Sequence, residues 1–108
     1  MEEKNIAASA VTKEMIAEWK KKHGDVYVFT VTDDDGTEKK AWLRKPDRKL
    51  IGYSGSIQNN PIKSNEVLLN GCWLAGDEDI KTNDALFFGI SNKLGELIKA
   101  KEGELVKL

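Results

Sequence analysis

NPIKSNEVLLNGCWLAGDEDIKTNDALFFGISNKLGELIKAK, residues 60–101, decides how the chain is read, because most of its large apolar side chains sit there. Asn60-Pro61 is a helix start, an Asn cap followed by a proline whose missing N–H is not needed in the first turn. Ile62, Val67, Leu69, Cys72 and Trp73 give that helix an apolar face, and Gly76 is expected to close it, so a helix is predicted over about 61–75. An acidic loop follows at 77–82 (DEDIKT), with Ile80 turned inward. Thr82 or Asn83 caps a last helix, with Asp84 in its first turn where an acid suits the dipole. Phe87, Ile90, Leu94, Leu97 and Ile98 recur at helical spacing and predict a continuous helix over about 83–101. Gly103 breaks it, and 104–108 is expected to resume it as a short tail.

The segments upstream read as material that folds back onto this helical pair. Thr12 caps a short helix that carries Met15, Ile16 and Trp19 on one face, and Lys20, Lys21, Lys22 and His23 at its C-terminal end. Gly24 stops it. In VYVFTVT, residues 26–32, Val26, Val28, Thr30 and Thr32 alternate with Tyr27, Phe29 and Val31, a strand pattern rich in β-branched and aromatic residues. DDDG at 33–36 is turn chemistry, with Asp35-Gly36 suited to a tight hairpin. TEKKAWLR at 37–44 is the return strand, Trp42 facing opposite to Ala41 and Leu43. A lone hairpin is marginal in water, so one face of it should lie on the helices. Pro46-Asp47 ends the strand and opens a helix over about 47–58. Gly52, Ser54, Gly55 and Ser56 weaken that helix, or else let another backbone approach. The fold class is therefore α+β: an N-terminal helix, one hairpin over about 26–44, then three helices forming a small core.

Composition bounds the rest. With 108 residues the chain fits one domain, and residues 1–10, small and polar, are expected to be flexible. Seventeen Lys and Arg against 18 Asp and Glu leave a net charge of -1, which argues against binding driven by a field of one sign. A single cysteine, Cys72, leaves no intramolecular disulfide and suits a reducing compartment. No apolar run approaches the roughly 18 residues that span a bilayer, and the acidic N-terminus is no secretory signal. A cytoplasmic protein, bacterial or viral rather than secreted, is expected.

No catalytic or metal motif is present, and no cofactor is expected. Asp33, Asp34, Asp35 and Glu38 are consecutive rather than alternating, so they lack the calcium-loop pattern and read as a solvated turn. Asp77, Glu78, Asp79 and Asp84 form a looser acidic group, better suited to capping or a partner-facing loop than to a cation. His23 could in principle serve Cys72 as a base, but Cys72 lies in LLNGCWL, where cysteine behaves as a small buried hydrophobe. Residues 39–49 hold Lys39, Lys40, Arg44, Lys45, Arg48 and Lys49 around Trp42. Such a mixture can stack on and neutralise single-stranded nucleic acid, although lysines on a strand also discourage edge-to-edge aggregation. Phe87 and Phe88 diverge by about 100° on a helix, so one of them is a candidate surface anchor.

The segments LRKPDR (43–48), 65–79 around Asn70, Cys72 and Trp73, and 94–108 follow one another in an order that resembles small phage tail-assembly chaperones, over residues 26–108. The resemblance implies a small, mostly helical, often self-associating protein without catalytic residues. It would hold the tape-measure protein while the tail tube assembles. The glycines within 52–56 depart from the regular helix such a fold prefers. The expected function is non-enzymatic assembly or binding of a helical protein partner, with Trp42, Arg44, Arg48 and Phe88 as contacts. The alternative is a nucleic-acid-binding accessory protein that uses the basic face of 39–49.

Overall fold

The computed structural model describes residues 6–57, 59–97 and 103–108. The architecture is α+β, with a helix first, then a hairpin, then helices around a small antiparallel sheet. Helix α1 spans Lys13–His23, and Thr12 caps it by accepting a hydrogen bond from the Met15 N–H at 3.2 Å. Gly24 ends it at φ 85°, a left-handed conformation that glycine adopts without steric cost.

Strands β1 (Val26–Thr32) and β2 (Glu38–Arg44) pair from Val26 opposite Arg44 to Thr32 opposite Glu38. The turn between them is wider than the tight two-residue hairpin that Asp35-Gly36 suggests. Asp33 donates its N–H to the Thr37 carbonyl, and Gly36, at φ 83°, donates to the Asp33 carbonyl. This is a type I turn followed by a left-handed glycine, the usual three-residue solution.

Helix α2 (Arg48–Gly55) is capped by Asp47, whose Oδ1 accepts from Leu50 N–H at 2.7 Å, and it ends before the expected 58. Nothing lies within 4 Å of a Cβ built on Gly52 or Gly55, so these glycines admit no close backbone. The close approach is elsewhere. Helix α3 (Pro61–Cys72), capped by Asn60, meets α2 where Gly71 faces the Leu50 side chain.

The helix expected over 61–75 stops at Cys72. Trp73–Gly76 is instead a third strand, β3, which makes β2 the central strand in the order β1-β2-β3. The register slips between Trp42 and Leu43, with Ala75 opposite Trp42 and Trp73 opposite Leu43. The slip is a bulge, and it lets Trp73 pack on the core while Ala75 faces the other side of the sheet. Pairing with β2 satisfies a row of backbone groups that a fourth helical turn would have left exposed.

The stretch 77–82, read as a loop, contains a single helical turn, α4 (Asp79–Thr82), which buries Ile80 completely. Asn83 then caps α5 (Asp84–Ser91). The continuous helix expected over 83–101 breaks after Ser91, and Leu94–Leu97 forms a separate 3₁₀ turn that still buries Leu94 and Leu97. Ser91, Asn92 and Gly95 are weak helix formers, so burial of the leucines, not propensity, sets the path here. Residues 98–101 of the expected helix lie outside the described residues. Residues 103–108 take no helix.

One face of the sheet builds the core. Ala41 and Leu43 of β2 meet Leu69, Cys72, Ile80, Phe87, Ile90, Leu94 and Leu97, with Tyr27, Phe29 and Trp73 packed against them. The N-terminal segment lies beside β3 and close to β2. Ile6 accepts a hydrogen bond from Gly76 N–H at 2.8 Å, and Ala8–Ala10 forms a 3₁₀ turn. Residues 1–5 of the expected flexible segment lie outside the described residues.

Candidate functional site

The four contacts expected from sequence do not form one surface. Trp42 and Arg44 lie on the side of β2 opposite Ala41 and Leu43, so they face away from the core helices. Arg48 opens α2 and is exposed. Phe88 is exposed on α5, which packs on the core side, so the sheet separates it from Trp42. Its neighbour Phe87 is buried, and the two rings meet edge-to-face at 5.7 Å.

The basic segment is partly neutralised by the chain itself. Lys39 pairs with Asp79 at 3.0 Å, which holds its ammonium above the usual lysine range. Lys40 pairs with Glu38 at 3.4 Å, and Arg44 donates to the Lys45 carbonyl. A phosphate chain would therefore compete with internal acids for two of the six cations in the segment.

The acidic stretch is structural too. Asp77 Oδ2 accepts from Lys40 N–H at 2.9 Å, and Asp77 N–H donates back to the Lys40 carbonyl at 2.9 Å. That reciprocal pair extends the β2–β3 ladder by one residue and explains why a carboxylate stands there. At the hairpin turn, Asp33 Oδ1 accepts from Asp34 N–H and Asp35 Oδ1 from Thr37 N–H. The Thr37 contact holds the Asp35 carboxyl below its ordinary range. These oxygens organise the turn. Among the described residues no group of three or more His, Cys, Asp or Glu side chains is placed to share a metal ion.

Cys72 is fully buried, and burial pushes its thiol up to about 11, which makes it a poor nucleophile. His23, exposed at the end of α1, is held below its ordinary range by partial desolvation and by the nearby Arg44 charge. Lys81 lies 4.3 Å from the centre of the Trp73 ring and is itself pushed down by burial, a cation–π contact that covers the half-exposed indole.

A concavity lies among residues whose spacing in the sequence marks them only as apolar. Between β1 and the end of the helical layer runs an open groove of about 350 Å³. Tyr27 and Phe29 form one wall, Ile90, Leu94 and Leu97 the other, and Lys93 and Glu96 stand at its rim, 3.4 Å apart. Beside it, β1 has no strand partner on its outer side among the described residues. Each wall residue was legible as apolar, but only the fold puts the two walls side by side.

Comparison of the chain with protein-family models, with curated proteins and with solved structures found no match. Among the described residues no helix is long and apolar enough to cross a membrane.

Proposed function

We propose that this chain is a non-enzymatic assembly or binding protein that holds a polypeptide partner in the groove beside β1. The observation that carries the reading is the groove itself, apolar on both walls and lying along a strand edge without charge. Exposed edges of this kind accept an added segment through main-chain hydrogen bonds, while adjacent pockets take alternate side chains. The segment order that resembles phage tail-assembly chaperones makes a long helical protein, such as a tape-measure protein, the partner class to try first. It would be held through an extended segment, since a helix has no main-chain groups left to pair with β1. The reading moves the expected contact from Trp42, Arg44 and Arg48 to β1 and the 3₁₀ turn. It leaves Phe88 as a separate exposed aromatic. Nucleic acid is the weaker reading, because Lys39 and Lys40 already have carboxylate partners.

The test is co-purification with a long helical protein encoded beside this chain, using wild type and Val28→Lys. Val28 stands on the open edge strand beside the groove, its side chain on the face opposite Tyr27 and Phe29, and is 54% exposed, so lysine there charges the edge without entering the core. Capture by wild type and loss in Val28→Lys support the reading. Equal capture by both proteins, or none by a folded wild type, overturns it.

A further inference from the structure

The two outer edges of the sheet are treated differently. Beyond β3, Ile6 accepts the Gly76 N–H and so covers the edge with chain. Beyond β1, no described residue does the same. The Asp33–Thr37 bond fixes the alternation of the β1–β2 ladder, so Tyr27, Phe29 and Val31 bond to β2. Val28, Thr30 and Thr32 then turn their N–H and C=O groups outward. Natural sheets blunt such an edge with lysine, proline or a bulge, yet VYVFTVT carries no charge and no proline and pairs in unbroken register.

The same chain carries an unpaired counterpart. Residues 103–108, GELVKL, are exposed throughout and take neither helix nor strand, and Leu105 and Leu108 bury nothing. An extended segment presents alternate residues to opposite sides, so Val106 and Leu108 share one face with Glu104, and Leu105 shares the other with Lys107. Five residues, 104–108, span about 17 Å when extended, the length of Val26–Thr30.

We propose that residues 103–108 of a second copy of this chain add to β1 as a fourth strand. Val106 and Leu108 enter the groove between Phe29 and Leu97, and Leu105 covers the exposed Val28. Glu104, on the groove side, meets Lys93 at the rim. Exchange in both directions gives a twofold dimer in which each copy supplies one segment and one edge. The inference rests on the reading that the groove takes a polypeptide segment, and it names one such segment.

The experiment is sedimentation of four samples of the purified chain over about two orders of magnitude in concentration, a range in which mass action exposes a self-association. They are wild type, a chain ending at Glu102, Val28→Lys, and a mixture of the last two. Wild type is expected to dimerise, and each variant alone to associate at least about tenfold more weakly. The mixture is expected to form a heterodimer, since one partner keeps the edge and the other the segment. At the lowest concentration, where the wild type is dissociated, circular dichroism of each variant should match it, because in the single chain the segment is exposed and Val28 faces solvent.

A monomeric wild type at all concentrations overturns the proposal, as does a dimer that survives removal of 103–108, which would indicate β1 pairing with itself. A mixture that stays monomeric also overturns it. If the wild type is monomeric yet captures a helical partner that Val28→Lys does not, self-exchange fails while the groove reading stands.

Discussion

Gly76→Ala tests the placement of β3 directly. Gly76 sits at φ 152°, a backbone conformation that residues with a Cβ rarely adopt. A Cβ there would stand 2.6 Å from the Lys40 carbonyl oxygen and 2.7 Å from Ala41 Cα. Both atoms belong to the backbone of the central strand, so no side-chain rotation relieves the contact. Moving β3 out to the 3.4 Å of ordinary contact disturbs the bonds of Gly76 to Ile6, at 2.8 Å, and of Asp77 to Lys40, at 2.9 Å. Backbone strain of about 1–3 kcal/mol and about 1 kcal/mol for each weakened bond give a loss of roughly 3–5 kcal/mol. That is a large part of the ~5–15 kcal/mol by which such domains are stable. Gly71→Ala is the control. Its Cβ would meet Leu50 side-chain atoms at 2.5 and 2.6 Å, and those can swing away. Alanine also gains about 1 kcal/mol in a helix, so this change should fall within about 1 kcal/mol of neutral. Urea denaturation followed by tryptophan fluorescence should show a lowered midpoint and an unchanged slope for Gly76→Ala. If Gly76→Ala costs no more than Gly71→Ala, the close approach of Gly76 to β2 is refuted.

Gly52→Ala, with open space around it, should stabilise the fold by about 0.5–1 kcal/mol in the same denaturation assay. Phe87→Ala should cost about 3–5 kcal/mol, while Phe88→Ala should cost less than about 1 kcal/mol, and similar losses for both would contradict the assigned helix face. Asp77→Ala strips the acceptor from the half-buried Lys40 N–H and should cost about 1–3 kcal/mol, read from the same midpoints. Cys72 keeps its proton in the fold up to about 11, whereas the unfolded chain releases it from the ordinary 9.0. Its contribution is therefore constant below about pH 9 and lost between there and pH 11, at no more than about 1.4 kcal/mol per pH unit. That slope should be absent in Cys72→Ala, and thiol labelling of the wild type at pH 8 should follow global unfolding.

Local signals in the sequence translated well because their partners lie within a few residues. Thr12, Asp47, Asn60 and Asn83 each cap a helix by accepting the N–H three residues on, a geometry that the chain encodes without help from the fold. The β1–β2 alternation and the inward stripe from Leu69 to Leu97 followed from period alone. What period cannot decide is a continuous apolar run, and LLNGCWLAG is one: helix and buried strand fit it equally. The choice fell to strand for its last four residues because β2 offered a row of unpaired groups, a fact written in a distant segment. Asp77 is the same case, ordinary in a loop until the register sets it against Lys40.

The charged strand misled for a related reason. EKKAWLR carries the lysines that usually mark a protected edge, while VYVFTVT looks like a strand meant for the middle. The fold reverses the two. Strand β2 can stand at the centre because Lys39 turns to Asp79 and the more exposed Lys40 to Glu38, so neither charge is buried without a partner. Strand β1 is left at the rim with no strand partner beyond it among the described residues, next to a groove that its own aromatic residues wall. Aromatic and arginine residues such as Trp42 and Arg44 are common interface anchors, but a protected central strand gives them no edge to work from. An interface in this chain is better sought where protection is missing than where charge is dense.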